Sequence, residues 1–380
     1  MAPTDRDRSV RREQEPCVHD GESPRILFIR PDHIGDVLLT FPAVAALRRV
    51  LTRARLTYAA PASAAALLKR CPDLDDTHTV PFPPIGRNVE GDFGWPDTVS
   101  VEAARLAGRF DAVLVVRPDD PWSAELAARA RTPIRLGFDM PRTRPHLTDA
   151  LPVPGNRHVA LDGFDLADAL LARLCVRART VRQLDPTLVV SRDDEAEAGD
   201  VLADAGVPEP PIVLHPGSGW PLKNWPPRRW RQLAADLART SRTKPIVAGT
   251  AAERPLVRQV VEGTPALDLA GRLSLGALAA LHRRARLVVT TDSGALHIAA
   301  AVGAPVVGLF GPGDPFRFAP LARPGRVRIV RVGLPCSPCG TLEQPPCGAA
   351  RDPDCVSGIG VERVLRAARE LLPARPRGRP

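Results

Sequence analysis

The most constraining feature of this sequence is an alternation of short apolar segments with longer segments of helical spacing. The compact apolar segment Ile26–Arg30 is followed by Val37–Val50, in which apolar residues recur at helical intervals. Such an alternation is typical of parallel sheets covered by helices, because a parallel strand pair needs a long crossover connection. We therefore predict an α/β protein built on parallel strands.

The alternation runs in two series along the chain of 380 residues, a length that suits two domains of ordinary size. The predicted strands are Ile26–Arg30, Leu56–Ala60, Ala112–Val116, Ile134–Phe138, Ile212–His215, Pro245–Ala248, Leu287–Thr291 and Pro305–Phe310. The predicted helices are Val37–Val50, Ser63–Arg70, Val99–Arg109, Ser123–Arg131, Val159–Leu174, Pro227–Arg239, Glu253–Val261, Leu275–Arg284 and Ala295–Val302.

We place the boundary between the two series near the polar run Ser191–Asp200. We predict five parts, namely a disordered segment 1–23, an α/β domain 24–190, a second α/β domain 191–360, a terminal helix 361–373, and a disordered tail 374–380. The two ends are predicted to be disordered because they are polar and rich in arginine, and the tail is also rich in proline. Two α/β halves leave a cleft between them.

The chain has a net charge of +9, part of which belongs to arginines in the predicted disordered ends. The remaining excess suits an anionic partner such as a nucleotide diphosphate, a phosphorylated glycan or a membrane surface, or it forms a solvated arginine-rich surface. No motif typical of nucleic-acid binding is present. The sequence shows no apolar stretch long enough to span a membrane and no signal-peptide core. We expect a cytoplasmic protein and leave open its peripheral association with the inner face of the cytoplasmic membrane.

Three loops that follow predicted strands carry the candidate chemistry, because ligands bind beyond the carboxyl ends of parallel strands. The first loop is Pro31–Asp36, in which Gly35 permits close backbone approach and Asp36 opens the next helix. Asp36 is either a simple helix cap or a general base that faces the cleft. A helix N-terminus weakens a carboxylate as a base, whereas burial offsets that effect.

The second loop, 215–227, lies between a strand and a helix. Gly217, Ser218 and Gly219 can offer backbone amides and a hydroxyl to an anion, and Lys223 adds a positive charge. The loop lacks the Gly-Lys-Ser/Thr ending of a Walker loop. We interpret it as a phosphate-binding loop.

The third loop is Thr290–His297. Asp292, Ser293 and Gly294 form a polar turn that leads into a helix of small residues, and a helix N-terminus of this kind suits a diphosphate. Asp292 would repel phosphate, so we expect it to orient amides or a sugar hydroxyl. His297 lies one turn into the helix and is either a packed, hydrogen-bonded histidine or a ligand contact.

Metal-binding patterns are weak. Asp73-Leu-Asp75 has the form of an Asp-x-Asp metal motif, but it precedes its strand and so falls at the wrong end of the sheet. The four cysteines Cys336, Cys339, Cys347 and Cys355 begin with a zinc-like pair but lack a second close pair. We favour reduced thiols, with a zinc or iron–sulfur site as the alternative, and we assign no metal and no cofactor.

The three loops together resemble a known enzyme family. The stretches RILFIRPDHIGDVLLTFPAVAALR, IVLHPGSGWPLKNWPPRRW and LVVTTDSGALHIAAAVGAPVVGLFGPGDP are similar, in order and position, to motifs of the bacterial ADP-heptose:lipopolysaccharide heptosyltransferases, glycosyltransferase family 9. The resemblance covers roughly residues 25–365. It implies a GT-B fold with two Rossmann-like domains whose parallel sheets face a central cleft, and a terminal helix, 361–373, that crosses back to the first domain. It also implies inverting sugar transfer that needs no metal.

The resemblance also implies roles for individual residues. Asp36 resembles the family's catalytic base, Glu253 its ribose contact and Leu273 its apolar contact beside the nucleoside. The positions that match the family's donor site are Ser218, Gly219, Lys223, Glu253, Leu273, Asp292, Ser293, Gly294 and His297. The sequence departs from the well-known members at Leu273, where they have Met, and in its Gly217–Gly219 loop, where they are Thr-rich. These departures leave the nucleotide and the sugar open.

The partners implied are a nucleotide-diphosphate sugar such as ADP-heptose and a glycan or glycolipid acceptor. Candidate acceptor contacts in the first domain are Arg30, Arg117, Asp119, Asp120 and Trp122. Two alternatives use the same architecture, a nucleotide-sugar 2-epimerase and a non-catalytic protein that binds glycans or nucleotides.

Overall fold

The computed structural model describes residues 23–83, 95–185, 188–207 and 210–372. Apart from Ser23, the two predicted disordered ends, 1–23 and 374–380, lie outside these residues. No helix within the described residues has the length and apolar character needed to cross a bilayer.

Two six-stranded sheets, parallel throughout, form the framework. Their strands are β1 Arg25–Ile29, β2 Arg55–Ala60, β3 Asp76–Thr79, β4 Ala112–Val115, β5 Ile134–Phe138, β6 Asp149–Leu151, β7 Ile212–His215, β8 Ile246–Val247, β9 Leu267–Asp268, β10 Leu287–Thr291, β11 Val306–Leu309 and β12 Val327–Val330. The strand orders are β3-β2-β1-β4-β5-β6 and β12-β11-β10-β7-β8-β9. The predicted α/β class with two Rossmann-like sheets is confirmed.

Helices cover the sheets. They are α1 Ile34–Leu38, α2 Phe41–Val50, α3 Ala65–Leu68, α4 Trp95–Leu106, α5 Pro121–Arg129, α6 Ala160–Arg173, α7 Arg192–Asp204, α8 Pro227–Ser241, α9 Arg254–Val261, α10 Leu275–Arg284, α11 Gly294–Ala301, α12 Pro315–Phe318, α13 Asp354–Ser357 and α14 Val361–Leu371. Single 3₁₀ turns occur at Ala62–Ala64, Arg144–His146, Pro221–Lys223 and Ala251–Glu253.

The sequence missed four strands, and all four lie at sheet edges. β3 and β6 flank the first sheet, and β9 and β12 flank the second. An inner parallel strand is covered on both faces and reads as an apolar run, as in the buried β4 sequence AVLV. The edge strand β3, of sequence DTHT, is only half-buried and carries no such run.

The predicted helix Val37–Val50 is two helices, α1 and α2. The break falls before Pro42, which occupies the first turn of α2. Proline has no N–H to donate to the carbonyl four residues earlier, so a continuous helix would lose a bond and meet a steric clash at this point. The short α1 carries Asp36 as an element of its own.

The polar run Ser191–Asp200, at which we placed the boundary, forms the N-cap and first turns of α7. Ser191 Oγ accepts a hydrogen bond from the Asp194 backbone N–H, and the Asp194 carboxylate accepts one from the Ser191 backbone N–H. The two bonds form a capping box. Few apolar residues face the core, notably Ala198 and Leu202, so hydrophobic periodicity did not indicate a helix. The helix packs against α10 of the second half.

The prediction that the terminal helix crosses back to the first domain is wrong. Val361, Val364 and Ala368 of α14 are buried in a cluster with Ile212 of β7 and Trp230 of α8. Because α14 carries one strongly apolar face, it covers the open face of the second sheet instead of returning to the first.

The two halves share part of one apolar core. Ile298 of α11 and Ala279 of α10 belong to the buried cluster that contains Ile26 and Phe28 of β1. A backbone bond from Val159 N–H to Arg317 O, 3.0 Å long, adds a polar link between the halves. The carboxyl edges of the two sheets are thereby held against each other.

His282 of α10 is fully buried, and no group in the described parts of the chain bonds to either of its ring nitrogens. Burial, with a further contribution from His215, lowers the pKa of His282 to about 3. The unfolded chain binds this proton near pH 6.5 and the folded chain does not. Below pH 6.5 the residue therefore lowers the free energy of unfolding by up to about 1.4 kcal/mol per pH unit.

We predict that His282→Leu makes the free energy of unfolding less dependent on pH between 6.5 and 4. Urea denaturation followed by circular dichroism across this range measures the slope. His146→Leu, at a half-buried histidine, serves as the control. An unchanged slope in His282→Leu would show that His282 is protonated in the folded state.

Candidate active site

Asp36 lies in the first turn of α1, directly beyond the inner strand β1. Its Oδ1 is 3.6 Å from Arg30 Nη2, and a quarter of its side chain is exposed. Arg30 Nε donates to Asp32 Oδ2 at 2.7 Å, and Arg117 Nη1 donates to Asp32 Oδ1 at 2.7 Å. Asp32 thus holds both arginines, and Asp36 keeps oxygen atoms free to accept a proton.

The surroundings of Asp36 make it a stronger base than an ordinary aspartate. Burial raises its pKa and the neighbouring Asp32 carboxylate raises it further, whereas Arg30, His33 and Lys223 act in the opposite direction. The net direction is upward, so burial and Asp32 together outweigh the three neighbouring cationic side chains.

Lys223 stands on the opposite side of this site, on the 3₁₀ turn Pro221–Lys223 of the second half. Its Nζ lies 2.8 Å from Asp292 Oδ2, and the two side chains are 18% and 7% exposed. Asp292 follows β10 and accepts a hydrogen bond directly from Lys223. The sequence did not predict this pairing. Lys223 also acts electrostatically on Asp36. The groups from the two halves therefore form one electrostatic unit.

The glycine-rich loop after β7 is ordered by its own hydrogen bonds. Ser218 Oγ can donate to Trp220 O or to Asn224 Oδ1, each 2.7 Å away. Gly219 is exposed, and the space where a side chain would stand is open. The exposed backbone at Gly219 is thus the part of this loop that a ligand can reach most easily.

Glu253 packs beneath the same loop, against Gly217, where a side chain would overlap with its carboxylate. Glu253 Oε2 accepts from Thr250 N–H at 2.7 Å and from Thr250 Oγ1 at 2.9 Å, as part of a capping box. His215 Nε2 is 3.9 Å from the same oxygen. One carboxylate oxygen is thus engaged within the protein, and the ribose contact remains a prediction.

Glycines bring α1 and α11 into direct contact at the centre of the site. A Cβ on Gly35 would lie 2.7 Å from His297 Cδ2, and one on Gly294 would lie 3.2 Å from Ile34 Cβ. Ser293 is the N-cap residue of α11, but its side chain does not bond to the helix amides. The first turn of α11 therefore presents backbone N–H groups beside α1.

His297 is 5% exposed, and its Nδ1 has no hydrogen-bond partner within the described chain. Burial lowers its pKa to about 4, although Asp292 acts in the opposite direction. The imidazole is therefore neutral near pH 7. It can donate or accept a hydrogen bond but supplies no positive charge to a diphosphate.

Leu273, predicted to lie beside the nucleoside, is partly buried and packs against the Ala198 and Ala277 cluster between α7 and α10. It directly precedes Ser274, the N-cap residue of α10.

The acceptor candidates at the end of β4 differ in accessibility. Asp119 is exposed. Asp120 is buried and caps α5 by accepting from Ser123 N–H at 3.1 Å. Burial raises the pKa of Asp120 to about 6. Of this pair, only Asp119 presents its side chain openly to solvent.

Two other candidates need correction. Trp122 is 2% exposed and packs edge-on to Phe82 at a centroid distance of 5.1 Å, so it is a core residue and not a surface contact for an acceptor. Arg30 is buried and paired with Asp32 and Asp36, so its closest partners belong to the protein. Both were candidates because they lie at loops of the first domain, and such a position does not tell whether a side chain turns outward or inward.

Sequence reasoning missed Asp32, His215 and His282. Asp32 was visible as a second carboxylate in the loop that carries Asp36, but its pairing with Arg117 joins residues far apart in the chain. The two buried histidines lie within a strand and a helix, and neither position signals a ligand.

No group of three or more His, Cys, Asp or Glu side chains among the described residues is arranged to hold a metal ion. Asp75 precedes β3, as expected, and pairs with Arg48 at 2.5 Å. Cys336, Cys339, Cys347 and Cys355 are free thiols that line one small cavity of about 20 Å³.

Comparisons with known proteins agree with this geometry. The sequence model of glycosyltransferase family 9 (heptosyltransferase) matches residues 103–346. Lipopolysaccharide heptosyltransferase 1 of Pseudomonas aeruginosa is 26% identical over 327 residues, which span 83% of this chain and 86% of that protein. Lipopolysaccharide heptosyltransferase 2 of Salmonella typhimurium is 26% identical over 330 residues, with 81% and 88% covered.

Solved structures show the same fold. A family 9 glycosyltransferase from Veillonella parvula superposes with a TM-score of 0.72 at 25% identity, covering 92% of this chain and 97% of that one. The ADP-heptose lipopolysaccharide heptosyltransferase II of Escherichia coli gives a TM-score of 0.72 at 22% identity, with 92% and 98% covered. The chain is therefore a GT-B glycosyltransferase that belongs to glycosyltransferase family 9, the heptosyltransferase family.

Proposed function

We propose that this protein transfers a heptose, or a closely related sugar, from ADP-heptose or a similar nucleotide-diphosphate sugar to a hydroxyl of a lipopolysaccharide core or another envelope glycan. Its relatives named as lipopolysaccharide heptosyltransferases, matched over most of both chains, support this substrate class. The observation that carries the proposal is the placement of Asp36 on one half and of Lys223, with the first turn of α11, on the other.

In the proposed reaction Asp36 is the general base. The acceptor hydroxyl gives its proton to a carboxylate oxygen of Asp36 while the hydroxyl oxygen attacks the anomeric carbon of the donor sugar. The bond between that carbon and the diphosphate oxygen breaks, and its electron pair leaves with the phosphate. A single displacement of this kind inverts the anomeric configuration.

The second half stabilises the leaving group. Lys223 has three N–H donors, so it can keep its bond to Asp292 and still donate to a phosphate oxygen. The free amides of the first α11 turn and the backbone at Gly219 add dipoles directed at the same charge. We propose that Asp292 positions Lys223 and that this arrangement replaces a metal ion.

We also propose that the acceptor is carried by a membrane glycolipid, so that the protein associates peripherally with the cytoplasmic face of the membrane. The net charge of +9 supports attraction to anionic lipid.

Incubation of the purified protein with ADP-heptose and a heptose-deficient lipopolysaccharide core tests the function. The expected result, by mass spectrometry, is an acceptor heavier by one heptose residue. An altered donor sugar without transfer would indicate an epimerase, and donor binding without turnover would indicate a non-catalytic binding protein. Either outcome would contradict the proposal.

Asp36→Asn is expected to lower kcat about 10²–10⁴-fold while donor affinity changes little, because the amide cannot accept the proton. Steady-state kinetics and calorimetry measure the two effects, with Asp200→Asn, at an exposed aspartate of α7, as the control. In the wild type, kcat/KM should fall on the acid side at a pH above the ordinary aspartate range of about 4, since burial raises the pKa of Asp36. Near-native turnover of Asp36→Asn would rule out its role as base.

Lys223→Ala is expected to weaken binding of the nucleotide diphosphate and to slow transfer, because it removes the cation and leaves Asp292 as an unpaired charge. The double variant Lys223→Ala/Asp292→Asn should recover folding stability but not full affinity, which separates the two effects. Calorimetric titration with ADP measures affinity, and Lys244→Ala, at an exposed lysine, is the control. Unchanged ADP affinity in Lys223→Ala would contradict the assignment.

Transfer is expected to survive chelation. Activity measured with excess EDTA should match that measured without it, since Lys223 and the helix amides supply the positive charge. Loss of activity that added Mg²⁺ restores would show that the leaving group needs a metal. Unfolding in EDTA would instead point to the four-cysteine segment.

A further inference from the structure

A second cavity lies on the first half, away from the residues assigned to sugar transfer. It has a volume of about 760 Å³ and is formed by the chain that follows β6, one face of α6 and the segment 176–182. Asp165, Asp168, Ala169 and Ala172 line it from α6. These positions are spaced as neighbours on one helix face and extend about 10 Å along it. We call this cavity the α6 groove.

The acidic side chains in and next to the α6 groove are paired with arginines. Arg157 Nη2 lies 2.9 Å from Asp162 Oδ1 and also pairs with Asp165. Arg182 Nη2 lies 2.6 Å from Asp165 Oδ1 and 3.5 Å from Asp168 Oδ2. These ion pairs hold Arg157 and Arg182 at the groove, and the two guanidinium groups share three carboxylates, so one negative charge remains among them.

Two other arginines in the groove carry unbalanced charge. Arg177 and Arg179 both line it, both are exposed, and neither forms an ion pair with an acidic side chain in the described chain. A guanidinium group matches phosphate with two parallel N–H donors. The groove is therefore complementary to a phosphate-bearing ligand.

One exposed valine lines the groove, and a second lies next to its arginines in the chain. Val153 is 49% exposed and Val181 is 70% exposed, and they are two of the five large apolar side chains found exposed among the described residues. Val153 lines the groove. Val181 follows Arg177 and Arg179, the two unpaired arginines, in the same short segment of the chain. Arginines next to exposed aliphatic side chains suit the boundary between lipid headgroups and acyl chains.

An electrostatic interaction links a residue next to the groove to the arginine beside Asp36. Asp162, which pairs with Arg157, interacts electrostatically with Arg30, the arginine beside Asp36.

We propose that the α6 groove binds the phosphate-bearing headgroups of anionic membrane lipids through Arg177 and Arg179, with Val153 and Val181 in contact with the outer part of the acyl region. The groove is a docking surface separate from the donor site. The inference depends on the proposed function only for its biological purpose, since lipid binding is measured without any sugar transfer.

The test is cosedimentation of the full-length protein with vesicles of phosphatidylcholine alone and with vesicles that also contain phosphatidylglycerol. We expect binding to the anionic vesicles only, and at least about tenfold weaker binding for Arg177→Glu/Arg179→Glu. Arg363→Glu/Arg366→Glu, at exposed arginines of α14 on the other half, makes the same change in net charge and should bind like the wild type. Val153→Ser/Val181→Ser should bind more weakly with no change in charge.

Several outcomes would overturn the proposal. Equal binding to both vesicle types would exclude headgroup recognition. Equal losses of vesicle binding in the Arg177→Glu/Arg179→Glu and Arg363→Glu/Arg366→Glu variants would show that binding depends only on net charge. Release of bound protein by inorganic phosphate at constant ionic strength would identify a free-anion site. The variants should melt at the wild-type temperature because the substituted arginines are exposed, and ADP affinity, measured in parallel, reports separately on the donor site.

Discussion

The contact between Gly35 and the imidazole of His297 determines how the two halves of this enzyme meet. No larger residue fits at position 35, because a Cβ there would lie 2.7 Å from the ring. Gly294 allows the reciprocal contact with Ile34. Because α1 and α11 start at the carboxyl edges of their sheets, this one close approach brings the base and the donor loops into a single site.

The same contact explains the charges of the site. His297 is buried beside this contact and Asp36 is largely shielded from solvent, which raises the pKa of the carboxyl group and lowers that of the imidazole. Asp36 becomes a better base, and His297 stays neutral. Positive charge is then supplied by Lys223, which Asp292 holds at 2.8 Å. On the first half, Asp32 accepts hydrogen bonds from Arg30 and Arg117 and so positions both arginines.

The sequence predicted the parts of the fold whose physical signal is local. Inner strands such as β4 are apolar because both faces are covered, and they were found within a residue of their ends. Edge strands and the polar helix α7 lack that signal. The course of α14 depends on which sheet offers an uncovered face, and no local pattern shows that.

The same distinction between local and long-range signals applies to the candidate site. The loops that hold Asp36, Lys223 and Asp292 could be found because glycines and polar residues follow apolar strands. The Lys223–Asp292 pair and the Gly35–His297 contact could not, since each joins segments that are distant in the chain or lie on different halves. The inward orientation of the Trp122 side chain could not be predicted either, because a position at a loop does not fix the direction of a side chain.

The central claim is that groups from both halves act as one site, and the carboxyl pKa of Asp36 tests it most directly. A ¹³C NMR titration of the carboxyl carbons, assigned with Asp36→Asn, measures that pKa in the wild type and in Lys223→Ala. We predict a value above the ordinary aspartate range in the wild type and a higher value in Lys223→Ala, because the lysine lowers the pKa from the opposite half. An Asp36 pKa that is ordinary, or that does not respond to the loss of Lys223, would contradict the account.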